Sequence, residues 1–267
     1  VHVPILSSLP RLGQRPAGAA PLRGAAVIVW ALVPLGAVAG SVAALLADRL
    51  PRGEPVGLVR SCCRSCGAVL GARDLVPILS WLWLRGRCRH CGAPIPSWLI
   101  RAEVEGAALG ALAAALVPDM PQALWAALWL WTLQALALAD LRHFRLPDPL
   151  TLTLALAALA MAWPDWPGAV LGAAAGAGAF AAVRLGYRLL AGREGMGLGD
   201  VKLMAGIGAG LGWTALPLVA LLAASGALIV AVLRAARPGR RLRRHEAVPF
   251  GAWLAAAAVA VWAIDRL

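Results

Sequence analysis

The chain has 267 residues, 61% of them hydrophobic and 14% charged, with a mean hydropathy of +0.75. A soluble domain carries about 25% charged residues, so this chain cannot cover a water-facing surface and reads as a membrane helix bundle plus whatever its polar stretches build. The net charge of +12 suggests nucleic acid at first sight, but 21 of the 25 cations fall within residues 49–101, 142–145, 184–202 and 234–244. That clustering reflects membrane topology under the positive-inside rule and not a nucleic-acid partner.

Residues 1–24 bear Pro, Gly and Arg without periodicity and read as a disordered lead-in, with no cleavable signal peptide evident. Crossing the hydrocarbon takes about 20 apolar residues in a helix. The pattern predicts spans near 25–47, 99–117, 122–140, 149–163, 168–190, 201–212, 214–233 and 248–264, the sixth being short and Gly-rich. The connections at 48–98, 141–148, 191–200 and 234–247 are basic, whereas those at 118–121, 164–167 and 213 hold no Lys or Arg. All basic loops therefore share one face, the cytosolic one, of a cell inner membrane. Trp98, Trp163, Trp166 and Trp213 fall at span ends, as interfacial anchors in contact with membrane lipid. Gly172, Gly176 and Gly178 suit close helix packing. The expected organisation is a first span at 25–47, a cytosolic lobe at 48–98 and a membrane domain at 99–267. No internal repeat is evident.

The lobe carries Cys63-Arg64-Ser65-Cys66 and Cys88-Arg89-His90-Cys91. Two such knuckles each offer two thiolates on one side of a tight turn, and together they close a tetrahedral site. In the cytosol disulfides are disfavoured, so Cys63, Cys66, Cys88 and Cys91 are expected to hold a structural Zn²⁺. Gly67 and Gly92 follow the knuckles where the chain must turn with positive φ. Arg60, Arg64, Arg85, Arg87 and Arg89 are expected to favour the thiolates. Cys62 lies outside the pattern, and His90 reads as solvent-facing.

Carboxylates are costly in a membrane, so their positions are informative. Asp119, Asp165 and Asp265 fall at the outer edge, where a solvated loop accounts for them. Asp140, Asp148 and Asp200 fall at the cytosolic edge. Asp140 ends an apolar run, and Asp200 follows Gly197-Leu198-Gly199, whose backbone permits close approach. Asp148 precedes Pro149 and reads first as a helix N-cap with Pro at N1. Two carboxylates held close can divide the work of general base and general acid in hydrolysis. Rival intramembrane designs lack their residues: Ser225-Gly226 follows Ala223-Ala224 and not a GxSG pattern, and His245-Glu246 does not continue into HExxH. The competing reading is a catalytically silent membrane scaffold whose zinc lobe binds a pilus or secretion component.

Taken together, the motifs resemble the bacterial type IV prepilin peptidases (leader peptidase/N-methyltransferase family). The likeness runs over roughly residues 35–265. It is carried by Ser61 to Cys66, Pro77 with Ser80-Trp81, Gly86 to Gly92, Glu103, the run from Asp140 to Asp148, the run from Glu194 to Lys202, and Pro249-Phe250-Gly251. The family's early signature is kept only in part, since Gly40-Ser41 to Arg49-Leu50-Pro51 lacks its Asn. The resemblance implies an all-α polytopic GxGD-type peptidase with catalytic Asp140 and Asp200 and secondary Asp148. It implies prepilin or pseudopilin precursors as substrates and methylation of the new amino terminus from S-adenosylmethionine. Presenilin-like enzymes are set apart by a Tyr-Asp pair, whereas Tyr187 here precedes Arg188.

Overall fold

A computed structural model describes residues 22–57, 59–192, 195–236 and 248–267, with side chains from residue 28 onward. Nine α-helices occur among them: α1 (Leu22–Arg49), α2 (Leu79–Trp83), α3 (Ser97–Leu116), α4 (Met120–His143), α5 (Asp148–Met161), α6 (Trp166–Ala191), α7 (Leu198–Leu211), α8 (Leu216–Ala235) and α9 (Phe250–Ile264). The described residues contain no strand, only two isolated bridges in the lobe. The all-α expectation holds, and each of the eight expected spans overlaps one of the helices other than α2. α1 starts at Leu22, inside the expected lead-in, whose residues 1–21 lie outside the described part.

Four helices are long and apolar enough to cross a membrane by themselves, at Ile28–Arg52, Met120–His143, Trp166–Ala191 and Trp213–Ala235. α5 and α9 are apolar but shorter. α7 has only 14 residues, and α3 carries Arg101, Glu103 and Glu105 in its first turns. Length and composition alone therefore do not mark these four helices as spans.

Local chemistry sets the ends. Pro121, Pro149, Pro167 and Pro217 stand in the first turns of α4, α5, α6 and α8, where no N–H is needed. Asp119 caps α4 by accepting from the Gln122 N–H at 3.1 Å, a more definite role than a solvated loop. Phe144 ends α4 in the left-handed conformation at φ 52°, its N–H returning to the Asp140 carbonyl.

Lipid is as apolar as leucine, so association of these helices rests on close packing and interhelical hydrogen bonds. Gly36 and Gly40 of α1 meet Gly106 and Ala102 of α3 backbone to backbone. Gly172 and Gly176 of α6 meet Gly208 and Met204 of α7 in the same way, whereas Gly178 faces open space. α4 is the central helix, with Trp129, Leu130, Leu133 and Leu136 fully buried. It is pinned to α7 by the Trp129 N–H donating to the Gly206 carbonyl at 3.3 Å. Two donors pin it to α3: Trp131 to the Gly106 carbonyl at 2.9 Å and Gln134 to the Ala102 carbonyl at 2.7 Å.

The polar lobe between α1 and α3 closes over one end of the bundle. Glu103 of α3 docks it, accepting from the Ser41 hydroxyl of α1 at 2.9 Å and from the Ile78 N–H of the lobe at 2.7 Å. Asp48, at the end of α1 and nearly buried, accepts from Arg52 and from Arg64 of the first knuckle, and lies 3.9 Å from His143 of α4.

Candidate active site and metal centre

Three chain segments far apart in sequence converge at the lobe end of the bundle. The first is the loop from Asp140 to Asp148 joining α4 to α5. The second is the start of α7 with Gly197 to Asp200, and the third is the start of α9 after Pro249. Leu146 stands at their junction. A Cβ at Gly199 would lie 2.9 Å from the Leu146 Cβ, and one at Gly251 would lie 3.0 Å from its Cδ1. A side chain at Gly199 would force the loop to shift, whereas one at Gly251 would press on the Leu146 side chain and the Asp140 carboxylate.

Asp140 is buried, 6% exposed, and its Oδ2 accepts from the Ala252 N–H in the first turn of α9 at 2.9 Å. The open amides of that helix start favour a negative charge there. A Cβ at Gly251 would stand 3.1 Å from the same oxygen, so the glycine keeps this approach free. Asp200, half-buried in the first turn of α7, accepts from the Gly197 N–H and lies within electrostatic reach of Asp140. Gly199 and Gly251 both abut Leu146, so the two carboxylates stand at the same end of the bundle. Asp148 stands apart: 73% exposed, it pairs with Lys202 at 2.6 Å. It is the first residue of α5, Pro147 holds the capping position, and no side chain caps the helix, which corrects the N-cap reading by one residue. Glu194 lies outside the described residues. Sequence reasoning missed the Ala252 N–H and Leu146. The proline before α9 and the glycine within its first turn were the available signal of an open helix start at the lobe end of the bundle.

The two knuckles share one backbone pattern. Cys63 N–H donates to the Ala68 carbonyl and Gly67 N–H to the Cys63 carbonyl, while Cys88 N–H donates to Ala93 and Gly92 N–H to Cys88, all at 2.8–2.9 Å. Gly67 and Gly92 both take φ 71°, as the turns require. The Sγ atoms of Cys63, Cys66, Cys88 and Cys91 all lie within 4.8 Å of one another. Ligands about 2.3 Å from a tetrahedral zinc stand about 3.8 Å apart, and the Cys63 and Cys91 sulfurs are 3.9 Å apart. The donor set fits a metal ion in chemistry and size.

The charges around the sulfurs differ from expectation. Backbone N–H groups of Cys66 and Ser65 hold the Cys63 thiol down to about 6. Although the Ala93 N–H favours its thiolate, Cys91 is pushed up to about 11 by Cys66, lost solvation, Cys88 and Cys63. Four clustered thiols cannot all ionise without a cation among them. The arginines turn elsewhere: Arg64 to Asp48, Arg89 to Asp74 at 2.7 Å, and Arg87 to the Gly92 carbonyl at 3.3 Å. Arg89 holds Asp74 below the ordinary carboxylate range. Arg64 ties the first knuckle to α1, and Arg89 ties the second to the rest of the lobe. Cys62 and His90 are exposed and stand outside the cluster, as expected.

Residues 34–117 match the bacterial peptidase A24 N-terminal domain, and residues 127–232 match the type IV leader peptidase family. A protein of Aeromonas hydrophila named prepilin leader peptidase/N-methyltransferase is 41% identical over 206 residues, covering 74% of this chain and 69% of the relative. This chain belongs to the type IV leader peptidase family. A Burkholderia pseudomallei protein of the same name is 41% identical over 217 residues, covering 80% of this chain and 70% of its own length. A Dickeya chrysanthemi one is 38% identical over 216 residues, with 77% and 75% covered. No solved structure matches the chain. The N-terminal family match takes in the second half of α1, the lobe and α3, and the second runs from within α4 into α8. α9 falls outside both, although its first turn supplies the N–H that holds Asp140.

Proposed function

We propose that this chain is a two-aspartate peptidase that removes the leader from type IV prepilins or pseudopilins at the cytosolic face of the inner membrane, and then methylates the new amino terminus. Asp140 and Asp200 are the catalytic pair and Asp148 is secondary. The observation that carries the reading is that Asp140, near the end of α4, and Asp200, in the first turn of α7, stand at the same end of the bundle, around Leu146. In a pair of neighbouring carboxylates one is ionised and the other holds a proton. The ionised member takes a proton from water, whose oxygen forms a bond to the scissile carbonyl carbon. The protonated member donates to the carbonyl oxygen, and the proton gained from water passes to the departing amine as the C–N bond breaks. The Ala252 N–H keeps Asp140 in place, and Leu146 packs the three segments so that both carboxylates stay aligned.

Cys63, Cys66, Cys88 and Cys91 hold a structural Zn²⁺ that fixes the lobe. S-adenosylmethionine supplies an electrophilic methyl group when bound. Exposed apolar faces of α6 and α8 contact membrane lipid.

Purified protein incubated with a full-length prepilin in detergent tests the reading. The expected outcome is two products of one cleavage at the leader junction by mass spectrometry, insensitive to chelators over the time of the assay. A precursor left intact by protein that is folded and zinc-loaded would point to a scaffold.

A further inference from the structure

One face of the lobe is left bare. Val76, Leu79, Leu82 and Trp83 recur at helical spacing through α2 and the turn before it, and all four are between 42% and 85% exposed. Ser80, Trp81 and Leu84, on the other side of the same turn, line the cavity under the lobe. The apolar side is held outward at a conformational cost. Ile78, a β-branched residue, takes φ 63°, where such side chains are rarely found. Its N–H is fixed by the Glu103 carboxylate at 2.7 Å, and the Leu79 N–H turns back to the Pro77 carbonyl at 2.6 Å. Strain of this kind persists only where the surroundings impose it.

The same Glu103 carboxylate accepts from Ser41 of α1 at 2.9 Å, and Ser41 falls inside the apolar stretch Ile28–Arg52 that is long enough to cross a membrane. From Ser41 to Arg49, the end of α1, is about 12 Å of helix rise. The start of α2 is therefore tied beside α1 and α3 at a level inside the end of the span, where a lobe wholly in water would not reach. An interfacial helix sinks about 5–10 Å into the boundary between headgroups and acyl chains, a comparable depth. The charges agree. Arg73 and Arg85 flank the face, exposed and without an ion pair among the described residues, and the one acid between them, Asp74, is taken by Arg89. An apolar face with a wholly basic rim is complementary to anionic lipid. A two-fold contact with a second copy would set basic rim against basic rim. The face is also no wall of the candidate active site, because α2 is anchored on α1 and α3 whereas Asp140 and Asp200 gather with α7 and α9 around Leu146. We propose that this face is a membrane foot of the lobe: Val76, Leu79, Leu82 and Trp83 lie in the boundary between lipid headgroups and acyl chains, and Arg73 and Arg85 meet anionic headgroups. The lobe thus rests on the bilayer beside α1 and α3 as well as over the bundle end. The proposal rests on the membrane helices and not on the peptidase or methyltransferase reading.

The test uses the full chain reconstituted in vesicles of phosphatidylcholine and phosphatidylglycerol, part of the latter carrying a diazirine on its acyl chain. After illumination, trypsin cutting at Arg73 and Arg85 releases residues 74–85 as one peptide. Mass spectrometry of the wild-type chain is expected to find label there as well as in α8, whose exposed Leu222 and Leu228 serve as the lipid-facing reference. Leu79→Asn combined with Leu82→Asn is expected to lose at least about fivefold of the label in residues 74–85, with α8 labelling, zinc content and melting temperature unchanged. Arg73→Gln combined with Arg85→Gln is expected to weaken the partition roughly fivefold for each arginine lost, in vesicles that contain phosphatidylglycerol. A wild-type peptide 74–85 without label beside a labelled α8, or label that persists in the double Asn variant, would overturn the foot. Label displaced by saturating prepilin would overturn it in favour of a substrate surface, and label that falls as protein density in the vesicles rises would overturn it in favour of a second copy of the chain.

Discussion

Gly176→Ala isolates how finely the α6–α7 contact sets the position of Asp200. A Cβ there would lie 3.0 Å from the Met204 carbonyl carbon and nearer still to its oxygen, where ordinary contact begins at 3.4 Å. Both partners are helix backbone, so no side chain can rotate away, and the two helices must part by about 1 Å. Met204 is one helical turn beyond Asp200, and a rigid shift of α7 carries the carboxylate with it. A misplacement of about 1 Å at a catalytic group costs about 100-fold in rate. The fold itself should survive, because overpacking costs about 1–3 kcal/mol and alanine regains up to about 1 kcal/mol of helix propensity. Gly178→Ala is the control on the same helix, since nothing lies within 4 Å of its added methyl. Leader cleavage by equal amounts of purified protein, with melting temperature in parallel, should show the first variant folded but about 100-fold slow and the second unchanged. Equal rates for the two would refute the claim that this glycine contact positions Asp200.

The wild-type chain should carry one zinc by elemental analysis; Cys63→Ser and Cys91→Ser should lose it, and Cys62→Ser should keep it. Breaking the quartet should leave cleavage partly intact yet abolish methylation, read from the mass of the processed pilin amino terminus. Glu103→Ala should loosen the lobe from α1 and α3 at a cost of about 2 kcal/mol, seen as faster tryptic cutting at Arg60, Arg73 and Arg85, with Glu103→Gln less affected. Asp148→Asn removes an exposed pair with Lys202 and should slow cleavage by less than tenfold, far less than loss of Asp140 or Asp200; inactivity of this variant beside an active Asp140→Asn would reverse the assignment of the first aspartate.

What the sequence made legible was chemistry that repeats at short spacing or violates its surroundings. The CxxC pairs with their following glycines, and carboxylates at the ends of apolar runs, could be read because each departs from an otherwise uniform background. Long-range partners could not. Asp140 and the Ala252 N–H are 112 residues apart, and only the packing of α4 on α9 joins them. The arginines near the cysteines looked like aids to thiolate formation, but Asp48 and Asp74 are the stronger partners and claim Arg64 and Arg89 instead. α7 looked doubtful as a span because it is short and Gly-rich. Those same glycines let it sit against α6 and against Trp129, and that contact is what makes so short a helix possible in the bundle. Glu103 and Ser41 entered only through the family resemblance, and nothing in the sequence joined them; the role of Glu103 as the lobe's anchor depends on Ser41 and on the Ile78 N–H, 62 and 25 residues away.

The central claim is that Asp140 and Asp200 act as one unit, and cleavage kinetics of Asp140→Asn, Asp200→Asn and the double variant test it most directly. Asparagine keeps the shape of each side chain while removing its ability to exchange a proton, so protein level and membrane insertion should stay near wild type. Groups that work as a pair are strongly non-additive: either single variant should lose essentially all cleavage, and the double variant should be no worse than the singles. A single variant that still cleaves at near the wild-type rate, or losses that multiply in the double variant, would contradict the two-aspartate account.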